Sequence, residues 1–220
     1  MKLKDMAISV KIGGMISFTL LLMILVGWQG LQGVKSESQA AERLKNILTL
    51  EITLQHREID HLEWAGLVST FLIDLEKSSL EVEIDERKCK LGRWLENKKE
   101  MAAAIKIVPQ MRAIVESMKG DHAKLHRSAA SMRQILADKN GDRVNAAVSL
   151  AEIYQKSSAP ALESVRGKLQ SISLEIDKHV KEEERFLQEV KEKTQYNVTI
   201  LMLAAVIIGG AVSYFISRTM

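Results

Sequence analysis

The chain has 220 residues and a net charge of +3, with 46% hydrophobic and 27% charged residues. That length fits one folded domain plus additional apolar segments, and so small and evenly spread a charge argues against a nucleic-acid surface. Two prolines among abundant Ala, Leu, Glu, Lys and Met point to an all-α protein, and the single cysteine, Cys89, excludes an intramolecular disulfide.

In chain order, the first element is an uncharged apolar stretch, Ile12 to Trp28, which continues without charge to Val34. A bilayer core takes about 20 helical residues, so 12–34 reads as a transmembrane helix. A cleavable signal peptide would have a shorter apolar core. Lys2, Lys4 and Lys11 precede this stretch, and Arg218 follows a second one, Val198 to Ser217. The positive-inside rule then puts both termini in the cytoplasm. The expected order is an N-tail at 1–11, transmembrane helices at 12–34 and 198–217, an extracytoplasmic segment at 35–197 and the start of a linker at 218–220.

Between the spans, Ile47, Leu54, His61, Val68 and Leu75 recur every seven residues, with Ala65 and Leu72 beside them, marking a buried helix face. No proline interrupts the chain before Lys77, so one helix is expected from bilayer to bundle. Ser78 and Ser79 offer a turn and a cap for a second helix, about 80–98, that carries Cys89, Gly92 and Trp94. Pro109 is placed to open a third, along which Met111, Val115, Met118, His122, Leu125, Ala129, Met132 and Leu136 form a stripe. Asn140-Gly141 stops it. A shorter helix at about 142–157 ends at a break or kink at Ser157 to Pro160. A last stripe of Leu162, Val165, Leu169, Ile172, Ile176, His179, Phe186 and Val190 leads into the second span. The pattern is an antiparallel helical bundle of the four-helix type, flanked by two membrane helices.

Four residues in this bundle are candidate metal ligands: His61, Cys89, His122 and His126, spaced 28, 33 and 4 residues apart. His122 and His126 lie one helical turn apart on one face and can reach a single ion. His61 and His122 occupy stripe positions where Leu or Val is expected, and a buried imidazole there needs a polar partner or a metal. The bland alternative is hydrogen-bonded core histidines beside a structural cysteine. Gly92 suits close helix approach, Trp64 and Trp94 an apolar wall, and Asp60 either an imidazole partner or a surface ion pair. His56 falls off the stripe and should be solvated; His179 is an accessory candidate.

Taken together, the HLEW segment from His61, CKLGRW from Cys89 and HAKLH from His122 resemble the chemoreceptor zinc-binding (CZB) family, over roughly residues 50–170. The family's pattern is a His next to a Trp, then C-x-L-G-x-W, then H-x-x-x-H. The resemblance implies Zn2+ held by His61, Cys89, His122 and His126, in a sensor rather than an enzyme. Four protein ligands leave no open position for a catalytic water. Family members usually sit in the cytoplasm, whereas the two spans here place the bundle outside it.

The function expected is therefore the sensor module of a two-pass, chemotaxis-type receptor in the bacterial inner membrane, detecting metal or oxidant in the periplasm. Its expected partners are a second copy of the chain, in a homodimer, and cytoplasmic signalling proteins reached through a region beyond 220. Ser217-Arg218-Thr219 looks like the start of a HAMP-type linker. A second class is a helical bundle sensing a small organic ligand, its metal pattern coincidental or structural; a third is a purely structural, dimerising membrane protein.

Overall fold

The computed structural model describes Ile8–Thr219. Lys2, Lys4, the side chain of Lys11 and Met220, on which the expected cytoplasmic tail and linker partly rest, lie outside the described residues. Among these residues there are six α-helices and no strand: α1 (Ile8–Ile73), α2 (Lys90–Glu96), α3 (Lys98–Ile107), α4 (Met111–Asp138), α5 (Arg143–Ile153) and α6 (Ala159–Thr219). A π-helical turn, Tyr154–Ser158, lies between the last two. The all-α class is as expected. Two compact units emerge, one formed by Asn46–Lys181 and one by the segment up to Lys45 together with the segment from Glu182.

Within Asn46–Lys181 the direction of each rod follows from its pairings. Trp64 Nε1 donates to the Glu83 carbonyl and Asp60 pairs with Lys90, so the chain after α1 runs back along it. Asp121 on α4 receives Ser164 and Lys168, and Ser128 meets Ser158, so α6 runs opposite to α4. Glu58 takes Arg166 and Gln170 while Ser69 meets Tyr154, so α6 also opposes α1. Successive rods alternate in direction, giving a four-rod bundle. Its core joins Val68 and Phe71 of α1 to Leu125, Ala129 and Met132 of α4 and to Leu150 of α5.

The second rod is not the continuous helix expected at 80–98. Residues 78–88 are non-helical, and α2 begins only after Cys89. Leu80 and Val82 are buried while Glu81 and Glu83 face solvent, the alternation of an extended strand rather than of a helix. Asn97 then separates α2 from α3, its side chain accepting from the Glu100 N–H. Pro109 does not open α4. It lies in a turn closed by the Met111 N–H on the Val108 carbonyl, and Val108 is outside the helical region (φ −128°, ψ 86°), which a following proline disfavours.

The stripe of α4 is buried at all eight positions from Met111 to Leu136. Asn140 (φ 50°) and Gly141 (φ 79°) turn the chain after α4 in the left-handed region that the Asn-Gly pair tolerates. In α1, Ile47, Leu54, His61, Ala65 and Val68 are buried, but Leu75 is exposed because the helix ends at Ile73. Of the break or kink expected at Ser157 to Pro160, the break is not observed: a π turn lies there, and α5 passes through it into α6. A proline ring strikes the carbonyl four residues back in an α-helix, and a wider turn relieves that contact.

The second unit pairs the start of α1 with the end of α6. Arg43 bonds Glu183 at 2.6 Å and lies 5.3 Å from the Phe186 ring centroid. Gly33 faces the Thr194 side chain so closely that a Cβ there would collide with it. Phe186, expected on the buried stripe of the last helix, is exposed. Both helices carry a stretch long and apolar enough to cross a membrane, with side chains such as Ile24 and Ile207 exposed.

Candidate metal centre

Three rods contribute to one cluster. α1 supplies His61, α4 supplies His122 and His126, and the junction between the extended segment and α2 supplies Cys89. One ligand atom from each of the four lies within 4.8 Å of the others. His61 Nε2 is 3.2 Å from His122 Nε2, and the Cys89 Sγ is 3.1 Å from His122 Nε2 and 4.0 Å from His61 Nε2. The imidazoles stand edge to face, with centroids 4.8 to 5.8 Å apart. All three are at most 2% exposed.

Hydrogen bonding on the far side of two rings sets which nitrogens face inward as lone pairs. His61 Nδ1 lies 2.7 Å from the Arg57 carbonyl, and His126 Nδ1 lies 2.9 Å from the Glu83 carbonyl. A carbonyl only accepts, so both Nδ1 atoms carry the proton and both Nε2 atoms carry a lone pair. His126 Nε2 is buried with no hydrogen-bond partner, which is rare for a buried polar atom and leaves a lone pair that a metal ion could take. A tetrahedral zinc would space its nitrogens by about 3.4 Å and sulfur from nitrogen by about 3.6 Å. The two sulfur–nitrogen spacings bracket the second value, the nitrogen–nitrogen spacing of 3.2 Å lies close to the first, and the donor set suits the ion. Carbonyl partners on ligand imidazoles are a common second layer of support at zinc sites.

Burial sets the protonation. It lowers the pKa of His122 to about 3, with the neighbouring charges of His126 and His61 adding to the effect. Burial likewise lowers His61 and His126, against the raising influence of the Arg57 and Glu83 carbonyls. The imidazoles are thus neutral and ready to donate electron pairs. Burial pushes the Cys89 thiol up, partly offset by the Gly92 N–H that its sulfur accepts at 3.1 Å. A bound cation reverses that balance and holds the thiolate.

Gly92 is required here for a reason other than helix approach. A Cβ would collide with the backbone carbonyl of Glu86, so the extended segment folds directly onto the first turn of α2. Trp64 is buried with its ring 5.7 Å from that of His126, as an apolar wall should be. Trp94 is also buried. Asp60 pairs with Arg57 and Lys90, the surface alternative. His56 is exposed. His179 lies outside the cluster, 3.5 Å from Gln110 Oε1, because the stripe of α6 has rotated by that point and buries Val180 instead. The carbonyls of Arg57 and Glu83 were not anticipated. Arg57 stands one helical turn before His61, a spacing legible in sequence; Glu83 is brought in only by the extended segment.

Residues 61–132 match the family model described as the chemoreceptor zinc-binding domain. The match spans all four clustered residues and is narrower than the resemblance over 50–170. No curated protein and no solved structure matches the chain.

Proposed function

We propose that the chain is the sensor portion of a two-pass, chemotaxis-type receptor whose bundle, outside the cytoplasm, holds one zinc ion through His61, Cys89, His122 and His126. The convergence of four donor atoms, with His126 Nε2 left unpartnered in the interior, carries the reading. Four protein donors complete a tetrahedron, so the role is sensing rather than hydrolysis. The two exposed apolar stretches support membrane insertion. The basic residues outside them, Lys2, Lys4, Lys11 and Arg218, support an inner-membrane topology with cytoplasmic termini. A homodimer passing its signal to cytoplasmic partners completes the proposal. Bound metal also makes Cys89 a thiolate, the form that oxidants attack, so loss of metal and oxidation of Cys89 are two inputs to one site.

The test is metal analysis of the full chain, purified in detergent without added metal, with X-ray absorption at the zinc edge. The expected result is one zinc per chain with one sulfur and three nitrogen neighbours, lost in a His122→Ala, His126→Ala double variant. Only oxygen neighbours, or unchanged zinc in that variant, overturns the reading. In a second arm, sub-stoichiometric hypochlorous acid should modify Cys89 and release zinc before the methionines react; methionine oxidation with zinc retained removes the oxidant input alone.

A further inference from the structure

A second cluster of chemistry lies on another face of α4. A cleft of about 380 Å³ opens between α4 and the rod formed by α5, the π turn and α6, within the range of small-ligand sites. Lys124 and Arg127 of α4 and Lys156 of the π turn line it, and the lining holds one carboxylate, Asp121. Asp121 is already engaged by Ser164 at 2.7 Å and Lys168 at 2.5 Å, which hold its carboxyl at about 2. The cleft is therefore positive.

Its cations are lightly held. Lys156 pairs with Glu152 on its own helical rod, both largely exposed, and Lys124 reaches Asp121 only at 3.5 Å. Exposed pairs of this kind contribute little and are readily exchanged. Arg127 donates from Nε to the Ala123 carbonyl at 3.2 Å, and its two terminal nitrogens have no ion pair among the described residues. A guanidinium presents such a fork to a carboxylate or phosphate. Apolar side chains of Ile153, Pro160 and Ala161 line the opposite wall. Lys156 lies within the π turn, at the edge of the cleft.

We propose that this cleft binds a small organic anion, its carboxylate or phosphate groups held by Lys124, Arg127 and Lys156 and its carbon skeleton lying against Ile153 and Pro160. None of the three cations is a metal donor, so the site stands independently of the zinc reading. It gives the receptor a ligand input on the helix that carries both clustered imidazoles of α4.

The test is calorimetric titration of the full chain in detergent with succinate, and separately with inorganic phosphate. Saturable binding of either at one site per chain is expected, with affinity falling at least about tenfold in an Arg127→Gln, Lys156→Gln double variant. Saturation by succinate alone assigns a carboxylate ligand, and saturation by phosphate alone a phosphorylated one. Ser131→Phe fills the cleft while keeping every charge and should also abolish binding, whether or not the double variant folds. Circular dichroism verifies the helical fold of each variant. Absence of saturation with both probes, or binding unchanged in Ser131→Phe, overturns the proposal.

Discussion

Three imidazoles and a thiol packed within one cluster are costly unless something binds the lone pairs they aim at each other. Without metal the cost shows as acid sensitivity. The folded pKa of His122 is depressed to about 3 from 6.5, and those of His61 and His126 are lowered as well. The unfolded chain therefore binds protons that the folded chain refuses. Stability from these groups is present above pH 6.5 and is lost as pH falls toward 3. Urea titrations of metal-free protein should show unfolding free energy declining across that window. In His122→Leu the slope should be shallower by up to about 1.4 kcal/mol per pH unit; an unchanged slope would show that His122 is not held neutral. Gly92 sets a steric limit at the same site. Gly92→Ala forces a methyl into the Glu86 carbonyl, which backbone cannot avoid cheaply. The expected loss is about 1–3 kcal/mol in urea midpoint analysis, with reduced zinc content; wild-type stability would mean the segment before α2 is free to move.

At the scale of elements, the bundle depends on how the end of α1 and the non-helical stretch that follows it are tied down. Arg133 of α4 donates to the Leu80 and Val82 carbonyls at 2.9 and 2.6 Å. Arg143 of α5 donates to the Lys77 and Phe71 carbonyls at 2.9 and 2.5 Å, its guanidinium carbon 3.7 Å from the Phe71 ring centroid. Trp64 and His126 both take the Glu83 carbonyl. Backbone groups that a helix would satisfy internally are met here by side chains from three rods. Arg133→Met keeps the apolar stem and removes two of these bonds. It should destabilise the fold by about 1–3 kcal/mol and weaken zinc binding, because the same segment presents Cys89. Stability loss with zinc affinity unchanged would show that Cys89 is positioned by α2 alone. This segment was legible only in part. Leu80, Val82 and Ile84 alternate with acidic residues, a period-two signal, yet the 80–98 stretch is also rich in helix-forming Lys, Leu and Glu. The arginines that decide between the two lie more than 50 residues away.

At the scale of the whole molecule, the alternating rods and most of the apolar stripes followed from period and punctuation; His61 and His122 stood out at stripe positions, while Cys89 and His126 were joined to them by the spacing of the HLEW, CKLGRW and HAKLH segments. The π turn and the separate α3 did not follow, since Pro160 permits a break, a kink or a wider turn, and Asn97 is a modest cap signal. The remaining question is whether an ion at this cluster changes the bundle or merely staples it. His61 belongs to α1, and its partners come from α4 and from the junction before α2, so an ion held by all four would tie α1 to elements with which it has no covalent link nearby. Helix shifts of about 1–2 Å are sufficient for signalling, and they require two packings close in free energy. Ile59 on α1 and Leu174 on α6 are exposed positions within the same unit. Nitroxides carried there on non-natural amino acids leave Cys89 untouched. Pulsed electron–electron distance measurements on membrane-embedded protein should show the α1–α6 separation changing by about 1–2 Å between zinc-loaded and chelator-treated states. Identical distributions in the two states would make the zinc a structural staple and place the input elsewhere in the bundle.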